Sequence, residues 1–114
     1  MSTSGYVDWG GASGRSYRYY VIPYLMASAI RPDPGNYGIC VPNANGLIYP
    51  AYFGIAEDFR NRLPTHEKLS AAAALGQVTV MAHINFDAAM RAYEERDLIA
   101  FWNPPLNVQH RTVG

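Results

Sequence analysis

Residues 36–54 read NYGICVPNANGLIYPAYFG, and this stretch decides the fold. Asn36–Pro42 and Leu47–Gly54 are rich in aromatic and β-branched residues, which suit extended backbone. Between them lies Asn43-Ala44-Asn45-Gly46, and Asn-Gly is a strong hairpin-turn signal because both residues tolerate positive φ. The register matters more than the hairpin itself. A four-residue loop over 43–46 sets Tyr37 opposite Tyr52, and a two-residue loop over 45–46 sets them diagonally on one face. An odd-length loop or a bulge separates them. Pro50 lacks an N–H for the ladder and so permits a bulge.

Upstream, Tyr17–Leu25 (YRYYVIPYL) reads as a strand, with Pro23 placing it at an edge or a strand end. Met26–Ile30 reads as a single helical turn, and Pro32-Asp33-Pro34-Gly35 as the turn that closes it. Residues 1–16 carry Gly5, Gly10, Gly11 and Gly14 and read as a flexible tail. Tyr6 and Trp9 are the side chains in it that would dock on the domain if any do.

Downstream, Asp58 suits the N-cap of a helix through Phe59, Arg60, Arg62 and Leu63, with Pro64 ending it or starting a new turn at Thr65. Leu69–Leu75 contains four consecutive alanines and predicts a second helix stopped by Gly76. Gln77–Asn85 alternates as a strand does. Asp87 then caps a helix from Ala88 to about Trp102, ended by Pro104 and Pro105. The order strand, hairpin, helix, helix, strand, helix predicts a mixed α/β domain of the α+β kind. It has a small, largely antiparallel sheet flanked by helices, and residues 17–114 form this single domain.

The bulk properties fit one globular unit: 114 residues, 49% hydrophobic and 16% charged. Nine basic and nine acidic residues give zero net charge. Neutralisation of phosphates drives most binding to nucleic acid, so this balance argues against strong autonomous affinity. The single cysteine, Cys40, cannot form an internal disulfide and sits between Ile39 and Val41 as a buried strand thiol would. With no apolar run long enough to span a bilayer and no secretion signal, the expected location is the cytoplasm, away from membranes.

Several segments together resemble the GIY-YIG nuclease superfamily. Pro34-Gly35-Asn36-Tyr37 is similar to the start of the first motif, with Asn36 where the motif has isoleucine. Tyr52-Phe53-Gly54 is similar to the second. Ile55–Leu63 (IAEDFRNRL) resembles the family's arginine-bearing helix, and His66 stands four residues after Arg62, where members carry histidine or tyrosine. Glu95–Asn107 (ERDLIAFWNPPLN) resembles the last motif, which runs from a helix glutamate to a closing asparagine. The resemblance covers residues 34–107. It departs from the family at Ile55, where many members have lysine, in the longer spacing between the two tyrosines, and in lacking a separate DNA-binding domain.

The resemblance implies an endonuclease, a hydrolase that uses a divalent metal to cut phosphodiester bonds, with DNA preferred to RNA as substrate. Glu95 would hold one Mg²⁺ or Mn²⁺, as hard cations prefer oxygen donors. Helical periodicity alone leaves Glu94 and Glu95 both open, and the family spacing to Asn107 selects Glu95. Arg62 would stabilise the scissile phosphate through its bidentate fork. Tyr37 and Tyr52 would position or deprotonate the attacking water. Free tyrosine titrates near 10, about four units above histidine, so His66 competes with Tyr37 as the base. Asn107 would support the site by hydrogen bonding. Arg60, Arg62 and Lys68, with His66, form a local positive cluster for a phosphate backbone. His83 reads as a core hydrogen-bonding residue, and His110 lies near the tail. The alternative is a catalytically weak or inactive module of the same fold that binds nucleic acid, a protein partner or a second copy.

Overall fold

A computed structural model describes residues 5–110, with side chains described to residue 107. Five strands, β1 (Tyr6–Gly10), β2 (Ser16–Ile22), β3 (Gly35–Pro42), β4 (Ile48–Ala56) and β5 (Thr79–Ile84), form one antiparallel sheet in the order β1-β2-β5-β3-β4. Three helices flank it: α1 (Phe59–Arg62), α2 (Lys68–Ala73) and α3 (Ala88–Trp102). Short 3₁₀ turns cover Ala27–Ala29 and Pro105–His110. This is the expected α+β class, and no helix among the described residues is long and apolar enough to cross a membrane.

Alternation along the strands gives each sheet face its own core. One face buries Tyr37, Ile39, Tyr52 and Val80 against Phe59, Leu63 and Ala72. The other buries Trp9, Tyr17, Tyr19, Cys40, Phe53 and Met81 against Leu98 of α3. Cys40 is fully buried in β3, and burial pushes its thiol up to about 12.

The hairpin resolves the register in a way that combines two of the foreseen cases. Pro42 pairs with Ile48, which leaves an odd loop over 43–47, closed by the Asn43 N–H to the Leu47 carbonyl at 2.7 Å. That loop alone would put Tyr37 and Tyr52 on opposite faces. Between Ile39 and Cys40 the register shifts: Cys40 pairs with Pro50 and Ile39 with Tyr52, so Ala51 is the extra residue. The bulge beside Pro50 cancels the odd loop and returns both tyrosines to one face.

The helix caps are as expected. Asp58 accepts from the backbone N–H groups of Arg60 and Asn61, and Asp87 from that of Met90. Asn103 ends α3 in the left-handed region (φ 49°), immediately before Pro104 and Pro105.

The expectation of a flexible tail over residues 1–16 is overturned from Tyr6 onward; residues 1–4 lie outside the described residues. Tyr6–Gly10 pairs along its whole length with β2, and Trp9 is only 3% exposed. The Trp9 indole donates to Met81 Sδ at 3.3 Å, and its ring packs edge-on against Phe53 and Trp102. Asp97 of α3 fixes the β1–β2 turn, accepting from the Ser13 N–H (2.8 Å), the Ser13 hydroxyl (2.7 Å) and the Tyr17 hydroxyl (2.7 Å). Gly11 faces the Asp97 carboxylate so closely that a Cβ there would collide with it. Gly11 and Gly14, two of the glycines that suggested disorder, therefore serve a turn packed on α3.

Candidate active site

The bulge sets Tyr37 and Tyr52 side by side, with ring centroids 6.2 Å apart. Tyr37 pairs with Gly54 across the hairpin, and its ring lies over that glycine. A Cβ on Gly54 would sit 2.5 Å from the Tyr37 hydroxyl and 3.0 Å from the Tyr52 ring, so only glycine fits there. Both rings pack edge-on against His66, each at 5.3 Å between centroids. His66 comes from the segment joining α1 to α2, and its side chain is completely buried.

His66 has both ring nitrogens engaged. The Lys68 backbone N–H donates to Nδ1 at 2.9 Å, and Nε2 lies 2.6 Å from the Tyr37 hydroxyl. A backbone N–H can only donate, so Nδ1 carries the lone pair and the neutral ring bears its proton on Nε2. Nε2–H then donates to the Tyr37 oxygen. Burial, with Arg62 and Lys68 adding to it against Glu67, lowers the His66 pKa to about 4. His66 therefore has neither a free lone pair nor access to water, which corrects the expectation that it competes as the base. Its task is to fix the Tyr37 hydroxyl.

Arg62 ends α1 beside the same pair. Its guanidinium lies close enough to the Tyr37 and Tyr52 hydroxyls to favour their ionised forms. Burial outweighs it, and both tyrosines titrate above their ordinary value. Arg62 is bound in bidentate fashion by Glu67, Nη1 to Oε1 at 2.8 Å and Nη2 to Oε2 at 3.1 Å. That pairing holds the exposed Glu67 carboxylate down at about 2.

The two adjacent glutamates of α3 separate cleanly. Glu94 is 2% exposed and accepts from the Tyr19 hydroxyl at 2.7 Å and from His83 Nδ1 at 3.0 Å. His83 is thus tied to a core carboxylate, which raises its pKa. Glu95 is half-buried, and after burial its charge is the largest influence raising the Tyr52 pKa. The same charge also acts on Tyr19, on the other face of the sheet. Among the described residues no group of three or more His, Cys, Asp or Glu side chains could hold a metal ion.

Asn107 is fully buried and clamps β4 from behind. Its Oδ1 accepts from the Phe53 N–H and its Nδ2 donates to the Phe53 carbonyl, both at 2.9 Å. Phe53 lies between Tyr52 and Gly54, so this clamp holds the strand that carries the site. Arg60 turns away: its Nε donates to the Ile30 carbonyl at 2.8 Å. Lys68 lies near enough to His66 to act on its charge. An apolar groove of about 400 Å³ lies between β2, β5, Ile30 and Phe59; His83 lines it, but Tyr37, Tyr52, Arg62, His66 and Glu95 do not.

Glu67 was missed from the sequence, where nothing in its spacing separates it from an ordinary surface residue. Asp97 was missed because its partners lie 80 and 84 residues away. Comparison with protein families, curated proteins and solved structures gave no match to the chain.

Proposed function

We propose that the chain is a small metal-dependent endonuclease of the GIY-YIG kind that hydrolyses phosphodiester bonds in DNA. The observation that carries this reading is the convergence of Tyr37, Tyr52, His66 and Arg62, from β3, β4 and the α1–α2 segment, in one cluster. Separated sequence positions that meet around a phosphate-binding arginine favour chemistry over a coincidence of strand-forming residues.

In this reading Arg62 binds the scissile phosphate and stabilises the charge that grows on it. Tyr37, its oxygen fixed by His66, helps to orient the attacking water. Tyr52 positions that water. Asn107 keeps β4 in place. A cation at Glu95 would neutralise charge on a phosphate oxygen.

The test is nicking of supercoiled plasmid with Mg²⁺ or Mn²⁺, comparing the wild type with Glu95→Ala and Arg62→Gln. Metal-dependent nicking, reduced on the order of a hundredfold or more in both variants, is the expected result. A folded wild type that binds but never nicks plasmid or branched DNA would favour a binding module. The Glu67 carboxylate on Arg62 is the observation that speaks for that second reading.

A further inference from the structure

The Arg62–Glu67 pair occupies the fork that a phosphate would need. The two carboxylate oxygens take the two Nη groups in parallel, as two non-bridging phosphate oxygens would. Both partners remain in contact with solvent, Arg62 at 38% and Glu67 at 64% side-chain exposure. An ion pair this exposed is weak and exchanges readily. It is also tethered. Glu67 immediately follows the buried His66 and stands at the N-cap of α2, so its backbone is held and the carboxylate returns to the same place. A tethered competitor acts at high effective concentration however weak its single contact.

We propose that Glu67 is a specificity-determining residue: a built-in competing carboxylate that keeps Arg62 closed to isolated anions and yields it to a nucleic-acid backbone. This rests on the reading of Arg62 as the phosphate-binding residue. A lone phosphate or carboxylate exchanges one anion for another and gains little. A polymeric phosphodiester brings further phosphates to Lys68 and the surrounding surface, and so outweighs Glu67. Glu67 also accounts for part of the zero net charge where a basic cluster would otherwise stand open.

The test is fluorescence anisotropy of a short fluorescein-labelled DNA duplex in EDTA, at low and high salt. It compares the wild type, Glu67→Gln, Arg62→Gln and the double variant, with inorganic phosphate as a competitor. Glu67→Gln should tighten DNA binding about two- to fivefold at low salt, the scale of an exposed ion pair. The gain should shrink at high salt and be absent in the Arg62→Gln background. Inorganic phosphate should displace DNA from Glu67→Gln more readily than from the wild type. Unchanged or weaker binding by Glu67→Gln, alongside weaker binding by Arg62→Gln, would overturn the competitor role and leave the phosphate reading standing. An equal gain in the Arg62→Gln background would reduce the effect to general charge and also overturn it. If Arg62→Gln binds as the wild type does and Glu67→Gln changes nothing, both readings fall.

Discussion

His66 Nε2 stands 2.6 Å from the Tyr37 hydroxyl while the Lys68 backbone N–H occupies Nδ1, so the imidazole is a neutral donor locked between a strand and a helix. Its pKa of about 4 lies below the ordinary 6.5. Between those values the unfolded chain binds a proton that the folded chain does not, so stability is full above pH 6.5 and falls as pH drops toward about 4. His83 has the opposite sign. Its pKa is raised by Glu94, so its contribution is full below 6.5 and fades as pH rises through the raised value. Urea unfolding across pH should show the acid-side decline reduced in His66→Gln, whose amide can still donate to Tyr37 but cannot titrate. The decline on the other side should shrink in His83→Gln. An unchanged acid limb in His66→Gln would show that the ring is not held neutral.

Gly54 is the second point at which the tyrosine geometry is exposed to test. A methyl group there would lie 2.5 Å from the Tyr37 hydroxyl and 2.6 Å from its Cζ. The ring is walled in by Tyr52 and His66 and must tilt, as overpacked cores do. Gly54→Ala should destabilise the fold by about 1–3 kcal/mol. Plasmid nicking should fall more steeply than the folded fraction does. Thermal unfolding measured beside the nicking rate separates the two effects. A variant of wild-type stability and rate would mean that Tyr37 has room the structure does not show.

Local signals made much of this fold legible. The Asn-Gly turn, the caps at Asp58 and Asp87, the alanine run and the Pro-Pro stop act within a few residues, and each placed its element. The residues of the tyrosine cluster were named through the resemblance of their segments to the GIY-YIG motifs, not through any pattern within a few residues. What stayed hidden depends on contacts distant in sequence. The bulge at Ala51 compensates an odd loop, and neither alone predicts the shared face. The Asp97 anchor joins α3 to a turn at the other end of the chain, so Gly-rich composition there looked like disorder. Likewise the tautomer of His66 is set by a backbone N–H, which no side-chain pattern reveals.

Because β1 is part of the sheet, removing it should unfold the domain rather than trim it. Trp9 contributes a 3%-exposed indole packed on Phe53, Met81 and Trp102. Trp9→Ala should cost about 3–5 kcal/mol, the range for large aromatic side chains deleted from a core. Asp97→Ala should cost less, by releasing the turn without opening a large cavity. Chemical denaturation of both variants checks the ranking. Wild-type stability in Trp9→Ala would restore the reading of this segment as a tail.

Asn107 gives the sharpest separation of stability from chemistry. Its side-chain amide satisfies both backbone groups of Phe53, at 2.9 Å each, in a fully buried position. Asn107→Ala leaves a donor and an acceptor of β4 unpaired, and each such buried group costs about 1–3 kcal/mol. Asn107→Asp keeps the acceptor for the Phe53 N–H but turns a carboxylate oxygen toward the Phe53 carbonyl. It should therefore be at least as damaging at neutral pH and should recover in part as the carboxyl protonates in acid. If Asn107 acts only through β4, both variants should nick plasmid at rates that track their folded fraction once saturating metal and substrate are supplied. A rate collapse in a folded Asn107→Asp protein would instead place its side chain in contact with the reacting groups.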